Sequence, residues 1–396
     1  MYVLLLVLVL FQVCLGFTGR GLFYPGRADL FELSIIHLND FHARFEQTSP
    51  YSGVCREDHK KDCIGGIARV YTAVNQLMKE RPNAIFLNAG DHFQGTLWYN
   101  IHRWNVTAVF MNMLPHDAMV IIYIYIIARI TTQLKNIYSL AACKENVKEM
   151  LQSVIILKLS IISYYTKILI PKLKLQNFNN LSDILIPWKK VVDETALKKV
   201  GTTRILLLHN CYNQECNMGN LITDAMVNAI VDGAKNKTHW TYAAVACMNP
   251  GGIRSSLEES DITYGDLMMV LPFENTWDTI ELTGESIRKI LEMRQMLVWS
   301  GLKITYKKVN ETRSLVNVKI RCQACEYPVF ENLVDNQWYR MIIPNFLMND
   351  GDGFHIFKNK SRNHKTGTVD INHFIKYVTK MSPLLIGTER RINIIE

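Results

Sequence analysis

The sequence predicts an α/β protein, α+β overall, with two domains. Between residues 33 and 120 an alternating apolar stretch, an amphipathic stretch and a second apolar stretch follow one another, which is the strand-helix-strand order of an α/β domain. From residue 201 to residue 396 strand and helix patterns alternate again, over a length sufficient for an independent core. The chain has 396 residues, of which 48% are hydrophobic and 20% charged, as expected for two globular domains.

Residues 1–16 predict a secretory signal peptide. The opening "MYVLLLVLVLFQVCLGFTGR" has a core rich in Leu and Val, with small residues around Cys14-Leu15-Gly16. Positive residues before the core are missing, so a short membrane anchor is the alternative, although the core is too short to span a bilayer well. The chain stops at "GTERRINIIE", without the apolar tail of a glycolipid anchor. We therefore expect a secreted, extracellular protein with no stable membrane anchor.

The first domain, residues 33–120, places polar clusters after two strands. We predict a strand over residues 33–38, a helix over residues 67–80 and a buried strand over residues 84–88. "NDFH" follows the first strand and "NAGDHFQGT" follows the second. Open α/β domains bind their ligands at the carboxyl ends of the strands, so we expect a site there.

Asp40, His42 and Asp91 are the candidate metal ligands of this site. A carboxylate and an imidazole two residues apart at a strand end point the same way and can reach one divalent cation. Asp91, after the next strand, can bridge to a second cation, and two such cations clamp a phosphoryl group and activate water. The alternative is that Asp40 caps a helix and His42 packs at the surface.

Residues 121–186 differ from their surroundings. They are rich in Ile, Lys, Tyr and Asn and contain no glycine, and the chain has no histidine between His116 and His209. A segment without glycine lacks the turns that an α/β domain needs. After it we predict a linker helix over residues 187–200, opened by Pro187 and closed by Gly201.

The second domain, residues 201–396, carries candidate substrate-binding residues. Phe273 and Phe354 stand in loops, where two rings can sandwich a purine base; otherwise both are core residues. Asn249 and Arg254 flank a glycine turn at Gly252 that allows close backbone approach and suits ribose hydroxyls or phosphates. The alternative for Arg254 is a solvated charge.

Six cysteines fall in local pairs that predict disulfides in an oxidising compartment. The pairs are Cys55 with Cys63, Cys211 with Cys216, and Cys322 with Cys325. Whether Cys143 pairs with Cys247 stays open. Five glycosylation sequons fit a secreted glycoprotein, although such tripeptides also arise by chance: Asn105, Asn180, Asn236, Asn310 and Asn359.

Several motifs resemble the 5'-nucleotidase family of calcineurin-like metallophosphoesterases, most of all its secreted insect apyrase and 5'-nucleotidase branch. In the first domain they are "LSIIHLNDFHARFE", "GGIARV" and "FLNAGDHFQGT"; in the second they are "ECNMGNLITDAM", "NPGGIRSSLEESDITYGDL", "VLPFENTWD" and "FLMNDGDGF". The resemblance covers residues 33–120 and about 187–396. It implies a metallophosphoesterase sandwich, here truncated or disrupted, followed by a substrate domain whose phenylalanines stack on the base. It also implies Zn, Ca or Mg as cofactor.

The sequence departs from the family pattern in the middle. The Gly-Asn-His-Glu motif, which in the family supplies a metal-bridging asparagine and the catalytic histidine, should follow "HDAM", but here Met119 leads into "VIIYIYII". The later metal histidines are missing as well, so the ligand set is incomplete and we assign no catalytic residue. In the second domain Tyr212 stands where relatives have a phosphate-contacting arginine, and Asn359 lies near the place of an acidic ribose ligand.

Two functions follow as alternatives. The first is a metal-dependent hydrolase that removes phosphate from ATP, ADP or AMP and so takes part in nucleotide catabolism. The second is a catalytically inactive paralogue that binds nucleotides or adenosine, or an incomplete gene model of the enzyme in which residues 121–186 are translated AT-rich non-coding sequence. The net charge of +8 is modest and lacks interleaved aromatics, so we expect no nucleic-acid partner. A homodimer stays open.

Overall fold

The computed structural model describes residues 34–57, 60–81, 83–119, 179–231, 239–309 and 312–395. The chain divides into two compact units. Unit 1 comprises Met1–Glu46, Gly65–Gln94 and Ile101–Lys189, and unit 2 comprises Gln47–Ile64, Gly95–Asn100 and Lys190–Glu396. The predicted signal peptide, most of residues 121–186, Cys143 and the sequons at Asn236 and Asn310 lie outside the described residues.

Unit 1 contains a parallel three-stranded sheet in the order β1-β2-β3. Its described elements are β1 (Ser34–Leu38), α1 (Ile67–Glu80), β2 (Ala84–Asn88), the last two residues of α2 (Leu97–His102), α3 (Trp104–Met111) and β3 (Ala118–Met119); the first four residues of α2 belong to unit 2. The predicted helix over residues 67–80 and the predicted strands are confirmed. Phe45 and Phe110, both almost fully buried, pack with ring centroids 5.3 Å apart and form part of the core.

The helix before the second domain differs from the prediction. It is α4 (Asn179–Ala196), so it begins eight residues before Pro187 and holds that proline in its interior. Its buried face begins with Leu181, which is 5% exposed, although an interior proline removes one backbone hydrogen bond. Gly201 does not end the helix, because it lies within β4 (Lys199–Thr203).

Unit 2 is built on two larger sheets. Its further elements are α5 (Asn217–Val231), β5 (Val245–Met248), β6 (Ser260–Thr263), α6 (Tyr264–Val270), β7 (Trp277–Thr283), α7 (Gly284–Glu292), β8 (Val298–Ser300), β9 (Leu302–Val309), β10 (Thr312–Arg321), β11 (Phe330–Asn332), β12 (Trp338–Pro344), α8 (Asn345–Met348), α9 (Ile356–Lys360), β13 (Arg362–Lys365), α10 (Asp370–Met381) and β14 (Ile392–Ile395). A mixed sheet runs in the order β13-β7-β12-β5-β8, and a second in the order β11-β10-β9-β14. Strands β4 and β6 pair separately.

One hydrophobic cluster joins the two larger sheets of unit 2. It takes inward side chains from β7 and β12 of the first sheet and from β9 and β10 of the second, together with α7. Helix α7 begins at Gly284, and Thr283 caps it by accepting a hydrogen bond from the amide of Ser286. The buried apolar run that contains β5 starts at Ala243, two residues before the strand itself, so its apolar pattern does not mark where pairing starts.

The three predicted disulfides are present. They join Cys55 to Cys63, Cys211 to Cys216 and Cys322 to Cys325. Cys247 is a free thiol at 0% exposure, and burial raises its pKa well above the ordinary value. Among the described helices, none has both the length and the apolar content needed to cross a bilayer.

Candidate functional site

The three predicted metal ligands lie together at the carboxyl ends of β1 and β2. Asp40, His42 and Asp91 each offer one ligand atom, and these atoms lie within 4.8 Å of one another. Nε2 of His42 is 3.8 Å from a carboxylate oxygen of Asp40 and 3.4 Å from one of Asp91. The carboxylates are about half exposed, whereas the imidazole is 13% exposed. The cluster is therefore open to solvent on its acidic side.

Backbone hydrogen bonds hold the two ligand-bearing loops against each other. The amide of Asp40 donates to the carbonyl of Gly90, and the amide of His42 donates to the carbonyl of Asp91, each at 3.1 Å. All three ligand residues have left-handed backbones, with φ of 52° at Asp40, 50° at His42 and 57° at Asp91. Each such residue costs of order 1 kcal/mol, and strain of this kind concentrates at functional sites.

A backbone carbonyl orients the imidazole of His42. Its Nδ1 lies 2.7 Å from the carbonyl oxygen of Gln94, an oxygen that can only accept. Nδ1 therefore donates to this carbonyl, and Nε2 is the ring nitrogen that faces the two carboxylates. Metal-binding histidines commonly have this arrangement, since the second nitrogen fixes both tautomer and ring orientation.

Behind the cluster lie three polar residues that sequence reasoning did not single out. Asn88 donates to Nε2 of His116 at 2.7 Å and accepts from the amide of Gly90 at 3.0 Å. His92 is 2% exposed, and neither of its ring nitrogens has a hydrogen-bond partner among the described residues. Asn88 and His92 both stand in the quoted "NAGDH", but no local pattern there indicates that their side chains turn inward.

Both buried imidazoles are neutral at physiological pH. Burial, reinforced by repulsion from His116 and His42, lowers the pKa of His92 to about 4, against an opposing effect of Asp40. Burial alone lowers the pKa of His116 to about 4, and its ring stacks on Phe86 at 4.7 Å. A neutral imidazole adds no positive charge beside the carboxylates, so the cluster keeps its affinity for cations.

The donor set fits one divalent cation. Two carboxylate oxygens and one imidazole nitrogen suit Zn, and carboxylates alone suit Ca or Mg. Within the described ranges, one other group has ligand spacing, formed by Cys322, Cys325 and Glu331, but its thiols are joined in a disulfide. Residues 120–178 contain no histidine, so a second metal set cannot take one from that segment. The two-metal centre stays a prediction.

In unit 2 the predicted substrate residues lie around the turn that follows β5. Asn249 is 4% exposed, its amide donates to Asp352 at 3.0 Å, and its Oδ1 is buried without a partner among the described residues. The guanidinium of Arg254 lies 5.7 Å from the ring centroid of Phe273. A Cβ at Gly252 would be 2.4 Å from Cε of Met248 and 3.1 Å from Oδ1 of Asn249, so a larger residue there would require both side chains to shift. A buried acceptor without a partner is costly and suggests a hydrogen-bond donor on a ligand.

The side chain of Phe354 is buried in the structure and is not exposed for stacking on a base. Its side chain is 0% exposed and belongs to the hydrophobic cluster, with its ring centroid 6.0 Å from that of Phe357. Phe273 is half-buried. A base sandwich between Phe273 and Phe354 requires the second ring to leave the core, and it remains a prediction.

Two further residues border the turn. Asp352 comes from the quoted "GDGF" and holds Asn249, with a left-handed φ of 52°. Tyr212 is 49% exposed, and its hydroxyl would lie 3.8 Å from a Cβ placed on Gly251. Tyr212, which stands where an arginine is expected, therefore places a hydroxyl at the edge of the turn, and this group can donate or accept a hydrogen bond.

Comparison with known proteins agrees with this architecture. The family model of the 5'-nucleotidase C-terminal domain matches residues 197–359. An apyrase of Tabanus yao is 30% identical over 524 residues, covering 92% of this chain and 94% of that protein. A 5'-nucleotidase-related protein of Glossina morsitans morsitans is 27% identical over 530 residues, covering 93% and 95%. The fold is similar to that of the 5'-nucleotidase precursor of Thermus thermophilus, with a TM-score of 0.67 at 20% identity, over 92% of this chain and 99% of that one.

The alignment with the apyrase is longer than this chain. Its 524 positions exceed the 396 residues of the chain by 128, so at least that many aligned positions have no counterpart here. The shortfall is internal, because the alignment covers 94% of the apyrase. At this identity and coverage the relationship is nevertheless clear: the chain belongs to the 5'-nucleotidase family.

Proposed function

We propose that the protein is a nucleotide phosphohydrolase that acts on ATP, ADP or AMP with a divalent cation. The observation that carries this proposal is the convergence of ligand atoms of Asp40, His42 and Asp91 within 4.8 Å, with Nε2 of the imidazole facing both carboxylates. A cation held there supplies Lewis-acid polarisation of a phosphate group and a lowered pKa for water. Zn, Ca and Mg are the candidates.

The residues of the chain have separate tasks in this proposal. His42, oriented by the carbonyl of Gln94, and the two aspartates hold the cation. In unit 2 the free acceptor on Asn249 takes a hydrogen bond from a ribose hydroxyl, and Phe273 stacks on the base. Arg254, over the ring of Phe273, provides a positive charge for phosphate.

A second candidate function is favoured by the ligand count. The described ranges offer one three-residue metal group whose side chains are not joined in a disulfide, and residues 120–178 add no histidine. A protein with that set binds a cation weakly and lacks a second one to stabilise the transition state. In this alternative the chain binds nucleotides or adenosine without hydrolysing them.

Phosphate release by the purified chain from ATP, ADP and AMP, with Zn, Ca or Mg and with chelator, tests the hydrolase. We expect release that requires the metal and disappears in His42→Ala. The matched control is His37→Ala, an exposed histidine of β1 outside the metal group. Release that persists in chelator or in His42→Ala would contradict the proposed role of the cluster.

Calorimetric titration with adenosine separates the two candidates. Binding should weaken in Asn249→Ala and Phe273→Ala and persist in Tyr327→Ala, which removes an aromatic ring that is 66% exposed. Adenosine binding without phosphate release supports the binder. If the chain neither binds adenosine nor releases phosphate, both candidate functions are refuted.

We also propose an extracellular location. Three disulfides support it, because they persist in oxidising compartments. Of the predicted sequons, Asn105 lies exposed in α3 and Asn359 lies exposed in α9. Treatment of secreted protein with an N-glycosidase should increase its electrophoretic mobility, and recovery of the protein only from cell lysate would refute the location.

A further inference from the structure

The paired strands β9 and β10 carry an unusual concentration of positive charge. Between them they contain six basic side chains and no acidic one. The basic residues are Lys303, Lys307, Lys308, Arg313, Lys319 and Arg321. The chain as a whole has 44 basic and 36 acidic residues, so basic and acidic residues are nearly balanced outside these two strands. The excess of basic residues in β9 and β10 is therefore exceptional.

The register of the two strands places like charges face to face. Lys319 lies directly opposite Lys303, and Arg313 lies directly opposite Lys308. Directly opposed like charges destabilise an antiparallel pair, and their Cβ atoms are only about 5 Å apart. A fold optimised for stability alone would place a carboxylate at one member of each pair.

The guanidinium of Arg321 is half-buried and is attracted by the carboxylates of Asp224 and Glu389. Leu302, Ile304 and Ile320 point into the hydrophobic cluster, so Lys303, Lys307 and Lys319 point outward, and all three lysines are exposed. Within the described part of the chain, none of these three lysines forms an ion pair. Lys303 and Arg321 instead lie over the ring of Phe330, with 4.7 Å and 5.6 Å to its centroid.

Polar residues lie between the lysines, together with two exposed apolar residues, Val316 and Ile395, the second of which is paired with Lys307. Thr305 is paired with Asn317 on one side and with Asn393 of β14 on the other. Asn332 of β11 is paired with Lys319. Hydroxyl and amide groups thus separate the ammonium groups, and the face presents donors and acceptors over four adjacent strands.

We propose that this outward face, defined by Lys303, Lys307, Lys319 and Arg321, binds a sulfated polysaccharide. Lys303 and Lys307 are four residues apart on one strand, about 13 Å, which suits an extended polymer with regularly spaced anionic groups. The amides between the lysines can hydrogen-bond sugar hydroxyls.

Other polyanions fit the face less well. Nucleic acids are held by open aromatic rings on which bases stack, and here the ring of Phe330 is covered by two cations. Anionic membranes favour basic faces with many apolar side chains among the charges. Here Thr305, Asn317 and Asn332 outnumber the two exposed apolar residues, Val316 and Ile395.

Binding of the full chain to heparin and to desulfated heparin, measured over a range of salt concentrations, tests the proposal. We expect binding to heparin alone. In the variant Lys303→Gln/Lys307→Gln/Lys319→Gln, the slope of log affinity against log salt should fall by about two, since each lost contact removes about 0.7. Affinity at fixed salt should fall about fivefold for each lysine removed.

The matched control removes the same charge elsewhere. Lys198, Lys376 and Lys380 are exposed, and the variant with all three replaced by Gln should keep the wild-type slope. Equal loss in both variants would mean that net charge alone drives binding and would overturn the proposal. So would binding to phosphatidylserine vesicles without binding to heparin, or equal binding to desulfated heparin. All six positions are exposed, and circular dichroism of both variants confirms that they are folded.

Discussion

Asp370 should make the stability of the protein decrease as pH rises towards neutrality. It is the first residue of α10 and is 1% exposed. Burial raises the pKa of its carboxyl from 3.8 to about 7, even though the amide of Ile371 donates to the carboxylate at 2.7 Å. Desolvation therefore outweighs both this hydrogen bond and the favourable field of a helix N-terminus.

The sign follows from proton binding. Between pH 4 and pH 7 the folded protein keeps a proton that the unfolded chain releases, so the stability that this proton provides is lost as pH rises through about 7. The pKa of Asp370 differs by about three units between the folded and the unfolded state, which corresponds to about 4 kcal/mol in the free energy of unfolding. About 3 kcal/mol of this stability is lost between pH 5 and pH 8. Asp370→Asn keeps the shape and removes the titration.

Urea unfolding of wild type and Asp370→Asn at pH 5, 6, 7 and 8 measures this effect. The stability of the variant relative to wild type should increase by about 3 kcal/mol across that range. Asp350→Asn is the control. The pKa of Asp350 is lowered by a hydrogen bond from Lys358, so its contribution is lost only as pH falls below the usual carboxyl range. An Asp370→Asn variant with the wild-type pH slope would refute the reasoning.

Three further substitutions have definite expected effects on stability. Arg391→Met should cost about 3 to 5 kcal/mol in urea unfolding, because it leaves Asp224, now bonded at 2.9 Å and 2.6 Å, without its guanidinium. Gly301→Ala should cost at least about 2 kcal/mol in the same assay, because φ is 80° and the new Cβ would lie 2.2 Å from a backbone carbonyl oxygen. Lys319→Gln should raise the free energy of unfolding by up to about 0.5 kcal/mol, since it ends the repulsion from Lys303, and an unchanged or lower midpoint would contradict this.

Local pattern was enough to place the elements of unit 1. Helix α1 and strand β2 have the predicted bounds, because an amphipathic period is framed by Gly65-Gly66 before it and by Pro82 after it. Helix α4 was predicted too short because Pro187 is typical of a helix start. The apolar contact that carries the helix past the proline begins at Leu181, and such burial is not visible in a local pattern.

In the candidate site, too, some features could be predicted from the local sequence, whereas others depend on the folded structure. Strand ends carrying polar residues were sufficient to predict that Asp40 and His42 would meet Asp91. The left-handed backbones that aim these side chains were not predictable, since none of the three is a glycine. The burial of Phe354 depends on contacts with Phe357 and the rest of the cluster, which a loop sequence does not reveal.

The segment between Met119 and Leu181 leads to a prediction about the transcript. Residues 121–178 contain neither glycine nor histidine, whereas the apyrase alignment requires at least 128 positions that this chain lacks. We propose one cause for both facts: an AT-rich intervening sequence, translated into Ile, Lys, Asn and Tyr, in place of the coding segment. We expect the mature transcript to be longer and to encode Gly-Asn-His-Glu after Met119, which sequencing of complementary DNA would show. A transcript that encodes these 396 residues unchanged would refute this account. It would also favour the binder, because His42 and its two aspartates would then have no further histidine from that segment to complete a second metal site.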